Sequence, residues 1–151
     1  MLEALGQLHA STFTGENRKM SKETSFTITS FYKFISEKRL MAAECVECGT
    51  LFLPPKPMCT KCLSANLKWI KISGKGKLVS YTIIYIAPEK FQDMVPYIVG
   101  IVEFDNGLRL PGMIRGVKHE DINVGMCLRI AFDESVSSEW HTWSRYFFKP
   151  V

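Results

Sequence analysis

The chain has 151 residues, 46% of them hydrophobic and 12% aromatic, which is enough to bury a core but leaves one domain or two small ones open on length alone. No stretch resembles a membrane span, and no basic segment followed by an apolar run opens the chain as a signal peptide would, so a cytoplasmic protein with reduced thiols is expected. The net charge of +4 is modest but uneven, with twelve Lys or Arg against six acidic residues in residues 1–80 and seven against nine in 81–151.

Residues 1–25 are rich in Ser, Thr, Glu and Lys and lack apolar periodicity beyond Leu2, Leu5 and Leu8, which predicts a flexible extension. Met20 is a second candidate start. Residues 26–41 change character. Ile28, Phe31, Phe34 and Ile35 recur at helical spacing, with Lys33, Ser36, Glu37 and Lys38 elsewhere, so an amphipathic helix is predicted with its aromatic side against the body or a partner.

Residues 42–73 carry two C-x-x-C pairs, Cys45/Cys48 and Cys59/Cys62, separated by ten residues. Two intervening residues let a tight turn aim both sulfurs at one ion, and the spacer can form the hairpin that brings the second pair across. Gly49 suits such a turn, since glycine tolerates the curl the amides need. The pattern reads as a rubredoxin-like zinc ribbon, against two disulfides or a cluster of buried thiols. Four thiolates leave no position for an activated water, so the zinc is expected to be structural, and its two extra negative charges bring the front half nearer +4 than +6. Within the spacer, Pro54, Pro55 and Pro57 remove backbone donors, so Leu51 to Pro57 cannot continue as a central strand.

Residues 74–151 turn to strands. Leu78 to Ile86 is dominated by β-branched and aromatic residues and is stopped by Pro88, with a loop from Glu89 to Pro96. Tyr97 to Phe104 meets Leu108 to Leu110 across Asp105-Asn106-Gly107, a strong hairpin signal. After a turn over His119 to Gly125, Met126 to Phe132 forms another strand. Five or so strands without long helices between them predict a small barrel, OB-type before SH3-like. The fold class is thus mostly β: an N-terminal helix, a zinc ribbon and a C-terminal OB-fold barrel. Five aromatics crowd the tail from Trp140 to Phe148, either as a strand covering the barrel or as an exposed surface for a partner.

The order of these features resembles a known family. The helix, Arg39-Leu40 entering the four-cysteine ribbon, Pro54-Pro55-Lys56-Pro57, the Gly74-x-Gly76 step, Pro96-Tyr97 and Gly125-Met126 are similar to the thiolase-associated zinc-ribbon and OB-fold proteins, over about Phe31 to Glu134. The resemblance implies a non-catalytic, acyl-CoA-associated accessory subunit. It would bind or bridge a thiolase-like, hydroxymethylglutaryl-CoA-synthase-like or hydratase-like enzyme and help form a site for coenzyme A. A CoA ligand needs cations for its phosphates and an apolar groove for its arm. Lys33, Lys38, Arg39 and Lys56, with Phe31, Tyr32, Phe34 and Phe52, are the candidate contacts. For each lysine, a solvated surface charge is the competing reading.

Intrinsic catalysis is not expected. Only His9, His119 and His141 are available as bases, His119 sits in a polar turn beside Glu120 and Asp121, and Cys127 reads as a small buried core residue. The alternative function is single-stranded nucleic-acid binding by ribbon and barrel, weakened by the acidic excess in the barrel half and by Arg109 as the only cation from Tyr97 to Leu110. Iron in a rubredoxin-like electron-transfer site ranks lower, because Leu63 rather than glycine follows the second pair and the spacer is short. Self-association is left open.

Overall fold

The computed structural model describes residues 25–133 and 146–151, apart from the side chain of Lys90. The extension expected over residues 1–25 falls almost wholly outside these, as do Trp140 and Trp143 of the tail.

Helix α1 spans Ile28–Ser36 and starts at Thr27, whose Oγ1 accepts a hydrogen bond from the Ser30 amide at 3.3 Å. It is shorter than the stretch 26–41 suggested. The reason lies at Lys38, which adopts a left-handed φ of 57° while the Lys38 amide donates to the Ile35 carbonyl and the Arg39 amide to the Phe34 carbonyl. This pair of reversed bonds is the Schellman stop, usually built on glycine. Phe31 and Ile35 are fully buried, whereas Ile28 stands at the surface.

Strand β1 (Met41–Cys45) is the centre of a three-stranded antiparallel ribbon, flanked by β2 (Leu51–Phe52) and β3 (Leu67–Lys71). β2 ends at Phe52, just short of the proline run, as missing donors require.

Five further strands close into a barrel: β4 (Lys75–Ile84), β5 (Tyr97–Phe104), β6 (Arg109–Ile114), β7 (Cys127–Phe132) and β8 (Tyr146–Pro150), in the order β4-β5-β6-β8-β7. Every neighbouring pair is antiparallel except β6 and β8. That order with one parallel seam is an OB-type Greek-key barrel rather than an SH3-like one. The segment Tyr146 to Phe148 therefore supplies a closing strand, the first of the two readings of the tail. The hairpin at Asp105-Asn106-Gly107 forms as read. The Gly107 amide donates to the Phe104 carbonyl at 2.8 Å, and Gly107 takes the left-handed φ of 75° of a bulged three-residue turn.

Three local readings change. β4 begins at Lys75, so Gly74 and Gly76 adjoin or lie within a strand instead of preceding it; a Cβ on Gly76 would stand 2.4 Å from the Glu103 carbonyl oxygen, so close strand approach explains the glycine. A 3-10 helix occupies Glu89–Met94 in the expected loop. Cys127 is exposed, because along β7 the even position Leu128 points inward and Cys127 and Arg129 point out; the apolar composition of the segment masked its alternation.

Helix, ribbon and barrel share one core. Phe31, Ile35, Leu40, Ala42 and Ile72 pack in the same cluster as Leu78, Ile98, Val102, Leu128 and Phe148. The ribbon is thus held on the barrel by burial as well as by the covalent chain.

Candidate metal centre and the helix–ribbon face

Each C-x-x-C pair is a knuckle of the same build. The Cys45 amide donates to the Thr50 carbonyl and the Gly49 amide to the Cys45 carbonyl; in the second knuckle the Cys59 amide donates to the Ser64 carbonyl and the Leu63 amide to the Cys59 carbonyl. Gly49 and Leu63 occupy equivalent left-handed positions, with φ of 68° and 60°. The Lys61 amide points at the Cys59 sulfur at 3.4 Å.

The four sulfurs lie within 4.8 Å of one another. Cys45 and Cys62 are 3.5 Å apart, as are Cys48 and Cys59. A disulfide needs about 2.05 Å, whereas a tetrahedron of thiolates about 2.3 Å from a zinc has edges of about 3.8 Å. The donor set and spacing fit that ion, and the disulfide reading fails. The cluster is half-hidden: Cys45 and Cys59 are buried and Cys62 faces solvent. Hydrogen bonds from the Thr50 side chain and amide lower the Cys48 pKa from 9.0 to about 6. Amide bonds from Cys62 and Lys61 lower that of Cys59. The Ser64 amide also favours the Cys62 thiolate, but the contact with Cys45 and desolvation outweigh it and push this thiol to about 12. A cation resolves this crowding by attracting all four as thiolates.

Beside the centre runs an aromatic ladder that no sequence motif marks. Phe26 stacks on Trp69 at 4.8 Å, Phe34 meets Trp69 edge-on at 4.9 Å, and the Arg39 guanidinium lies 4.9 Å from the Phe34 centroid. Trp69 lies on β3 in a short polar stretch whose sequence alternation is the only signal for it. Its indole Nε1 is buried and has no hydrogen-bond partner among the described residues.

The candidate ligand contacts separate into two groups. Phe31 and Phe52 are buried, Phe31 in the main core and Phe52 under the cysteine cluster, so both serve packing. Tyr32 is half-buried, and burial raises its pKa. Lys33, Lys38, Arg39 and Lys56 are all exposed, with Arg39 ion-paired to Glu37. His119 sits on a turn with Nε2 3.1 Å from the Pro96 carbonyl oxygen. It lines an open cavity of about 370 Å³ together with Met94, Tyr97, Met113 and Arg115, far in sequence from the cysteines.

Two adjoining sequence families match this architecture: residues 35–68 match the rubredoxin-like zinc ribbon domain of ChsH2, and residues 69–133 match its C-terminal OB-fold domain. A DUF35 domain-containing scaffold protein of Methanocaldococcus jannaschii is 36% identical over 94 residues, covering 62% of this chain and 67% of that one. The chain belongs to the DUF35 (ChsH2-type) family of zinc-ribbon and OB-fold proteins. Within that family, a probable enoyl-CoA hydratase alpha subunit of Thermomonospora curvata is 31% identical over 96 residues, which are 64% of this chain and 30% of that subunit. The solved Ltp2-ChsH2(DUF35) aldolase superposes with a TM-score of 0.70 at 25% identity, covering 81% of this chain and 92% of that one. Among the described residues no helix is long and apolar enough to cross a membrane.

Proposed function

We propose that this chain is a cytoplasmic, non-catalytic accessory subunit that docks on a hydratase-type or thiolase-type enzyme acting on CoA thioesters, with a structural zinc in its ribbon. The observation that carries the reading is that one ribbon-and-barrel unit, matched here over residues 35–133, recurs both in scaffold proteins and in subunits of such enzymes. The chemistry of the centre agrees. Cys45, Cys48, Cys59 and Cys62 would hold the ion with four protein sulfurs, and a closed thiolate set supplies cohesion between the knuckles rather than a reactive position. On the same reading, the helix–ribbon face contributes to a CoA site: Lys33, Lys38, Arg39 and Lys56 offer cations to phosphates, while Tyr32 and the Phe34–Trp69 ladder offer apolar surface.

Tagged chain should be isolated from its native cell, its partners identified, and CoA titrated calorimetrically into the free chain and into the complex. Recovery of a CoA-thioester enzyme, with CoA bound by the complex and no thioester turnover by the free chain, is the expected result. Recovery of nucleic acid alone, with no CoA binding in either sample, would sink the proposal.

A further inference from the structure

The register of the barrel assembles a row of cations that is not visible along the chain. Lys75 on β4 is paired directly with Arg129 on β7, and Arg129 is paired directly with Lys149 on β8. Between them in sequence, Gly76, Leu128 and Phe148 are buried, so the three cations share the outer face of the barrel. Lys77, two residues along β4, lies on the same side but is paired with Glu103 on β5, so the row proper is the three cations. Neighbouring strands lie about 4.8 Å apart, which places three positive side chains across about 10 Å.

Like charges directly opposite one another destabilise a sheet. Among the described residues, neither Lys75, Arg129 nor Lys149 forms an ion pair, while the nearby acids are engaged elsewhere: Glu103 holds Arg109 at 2.6 Å and Asp133 holds Arg115 at 3.1 Å. Protection of a sheet edge is the usual reason for lysines on strands, but a closed barrel has no edge here. Among the described residues, no carboxylate relieves this repulsion.

We infer that the outer face of β4, β7 and β8 is a docking surface for an acidic patch on a folded protein partner, with Lys75, Arg129 and Lys149 as its electrostatic contacts. This rests on the accessory-subunit reading and names the chemistry of the partner's face. Two features favour a protein over single-stranded nucleic acid. The outside of a barrel is convex, offering no groove to track a backbone, and the outward ring on β7 and β8 in this region, Phe147, is already covered by the Arg115 guanidinium 4.6 Å from its centroid. Base stacking needs a free ring. Steering by such a row acts mainly on the association rate and is screened by salt.

The test uses full-length chain, a variant carrying Lys75→Glu, Arg129→Glu and Lys149→Glu, a neutral variant carrying Lys75→Gln and Arg129→Gln, and Lys118→Glu as an exposed control. Association with the co-purified enzyme is followed by biolayer interferometry across salt concentrations. In parallel, an Asp/Glu peptide and an oligothymidylate of equal charge are titrated into the free chain. The row predicts that the reversed variant loses about tenfold or more in association rate at low salt and loses its salt dependence. The neutral variant should fall between it and the parent, and Lys118→Glu should match the parent. The neutral variant should also melt no lower than the parent at low salt, since it removes a repulsion, so weak binding cannot be blamed on misfolding. If no enzyme co-purifies, the accessory reading falls and the peptide arm decides this one. Peptide binding abolished by reversal sustains it; peptide binding indifferent to reversal, or oligothymidylate bound about tenfold more tightly than the peptide, overturns it.

Discussion

Leu63 carries an unusual conformation for its side chain. It occupies the left-handed position that Gly49 fills in the other knuckle, and it is 71% exposed, so no packing compensates for the backbone. A left-handed L-residue costs about 1–2 kcal/mol, and part of this is returned by the lower unfolded-state entropy that leucine has relative to glycine. Leu63→Gly is expected to stabilise the metal-loaded protein by about 0.5–1 kcal/mol in urea unfolding, and Gly49→Leu to destabilise it. At Cys48 the consequence concerns pH. Its folded-state pKa of about 6 lies below the ordinary 9.0, so its ionisation supports the fold fully above about pH 9, progressively less as pH falls, and not at all below about 6. Metal affinity follows the same direction, since protons compete for the sulfurs. Zinc release, measured with a colorimetric chelator, should therefore rise as pH falls, and Thr50→Val should shift that release toward higher pH by removing the hydroxyl partner 3.1 Å from the sulfur.

For the elements, glycine explains both a success and a miss. Gly107 announced its hairpin because an Asn-Gly pair supplies the left-handed residue a tight turn requires. The end of α1 was hidden because Lys38 took the left-handed place where glycine would have marked it. Gly76 stood before the strand expected from Leu78, yet it lies within β4 and its role is close packing. Since the Glu103 carbonyl oxygen lies 2.4 Å from where an added methyl would stand, Gly76→Ala forces two strands apart and should cost about 1–3 kcal/mol by thermal unfolding. The helical spacing of apolar residues in α1 was legible as a buried stripe, and Phe31 and Ile35 do face the core. That same burial removes Phe31 and Phe52 from the surface, which composition alone had no means to distinguish from an exposed ledge.

Across the whole molecule, local spacing was informative and long-range pairing was not. The cysteine cluster was readable because its ligands fall in two short motifs whose spacing carries the geometry. The basic row was not, because Lys75, Arg129 and Lys149 come from segments on opposite sides of the charge division drawn along the chain, and only strand register unites them. The shared core makes a prediction at this scale. Leu40, Ala42 and Ile72 tie the ribbon to the barrel, so withdrawing the metal should loosen both. Chelation is expected to lower the melting temperature as a single transition, with hydrogen exchange rising first across Met41–Cys45 and Leu67–Lys71 and the barrel strands following.

β8 lies between β6 and β7, although it is translated after both. During synthesis the nascent barrel must wait with a gap in its wall, while the ribbon, whose four sulfurs emerge from the ribosome well before, is free to capture its ion. Phe31 in α1 meets the Tyr146 ring of this late strand at 6.4 Å, so its arrival latches the opening helix and the wall in one event. The ribbon is thus the early half of the molecule and the barrel the late one, and an interruption before residue 146 would leave a metallated but unfinished protein.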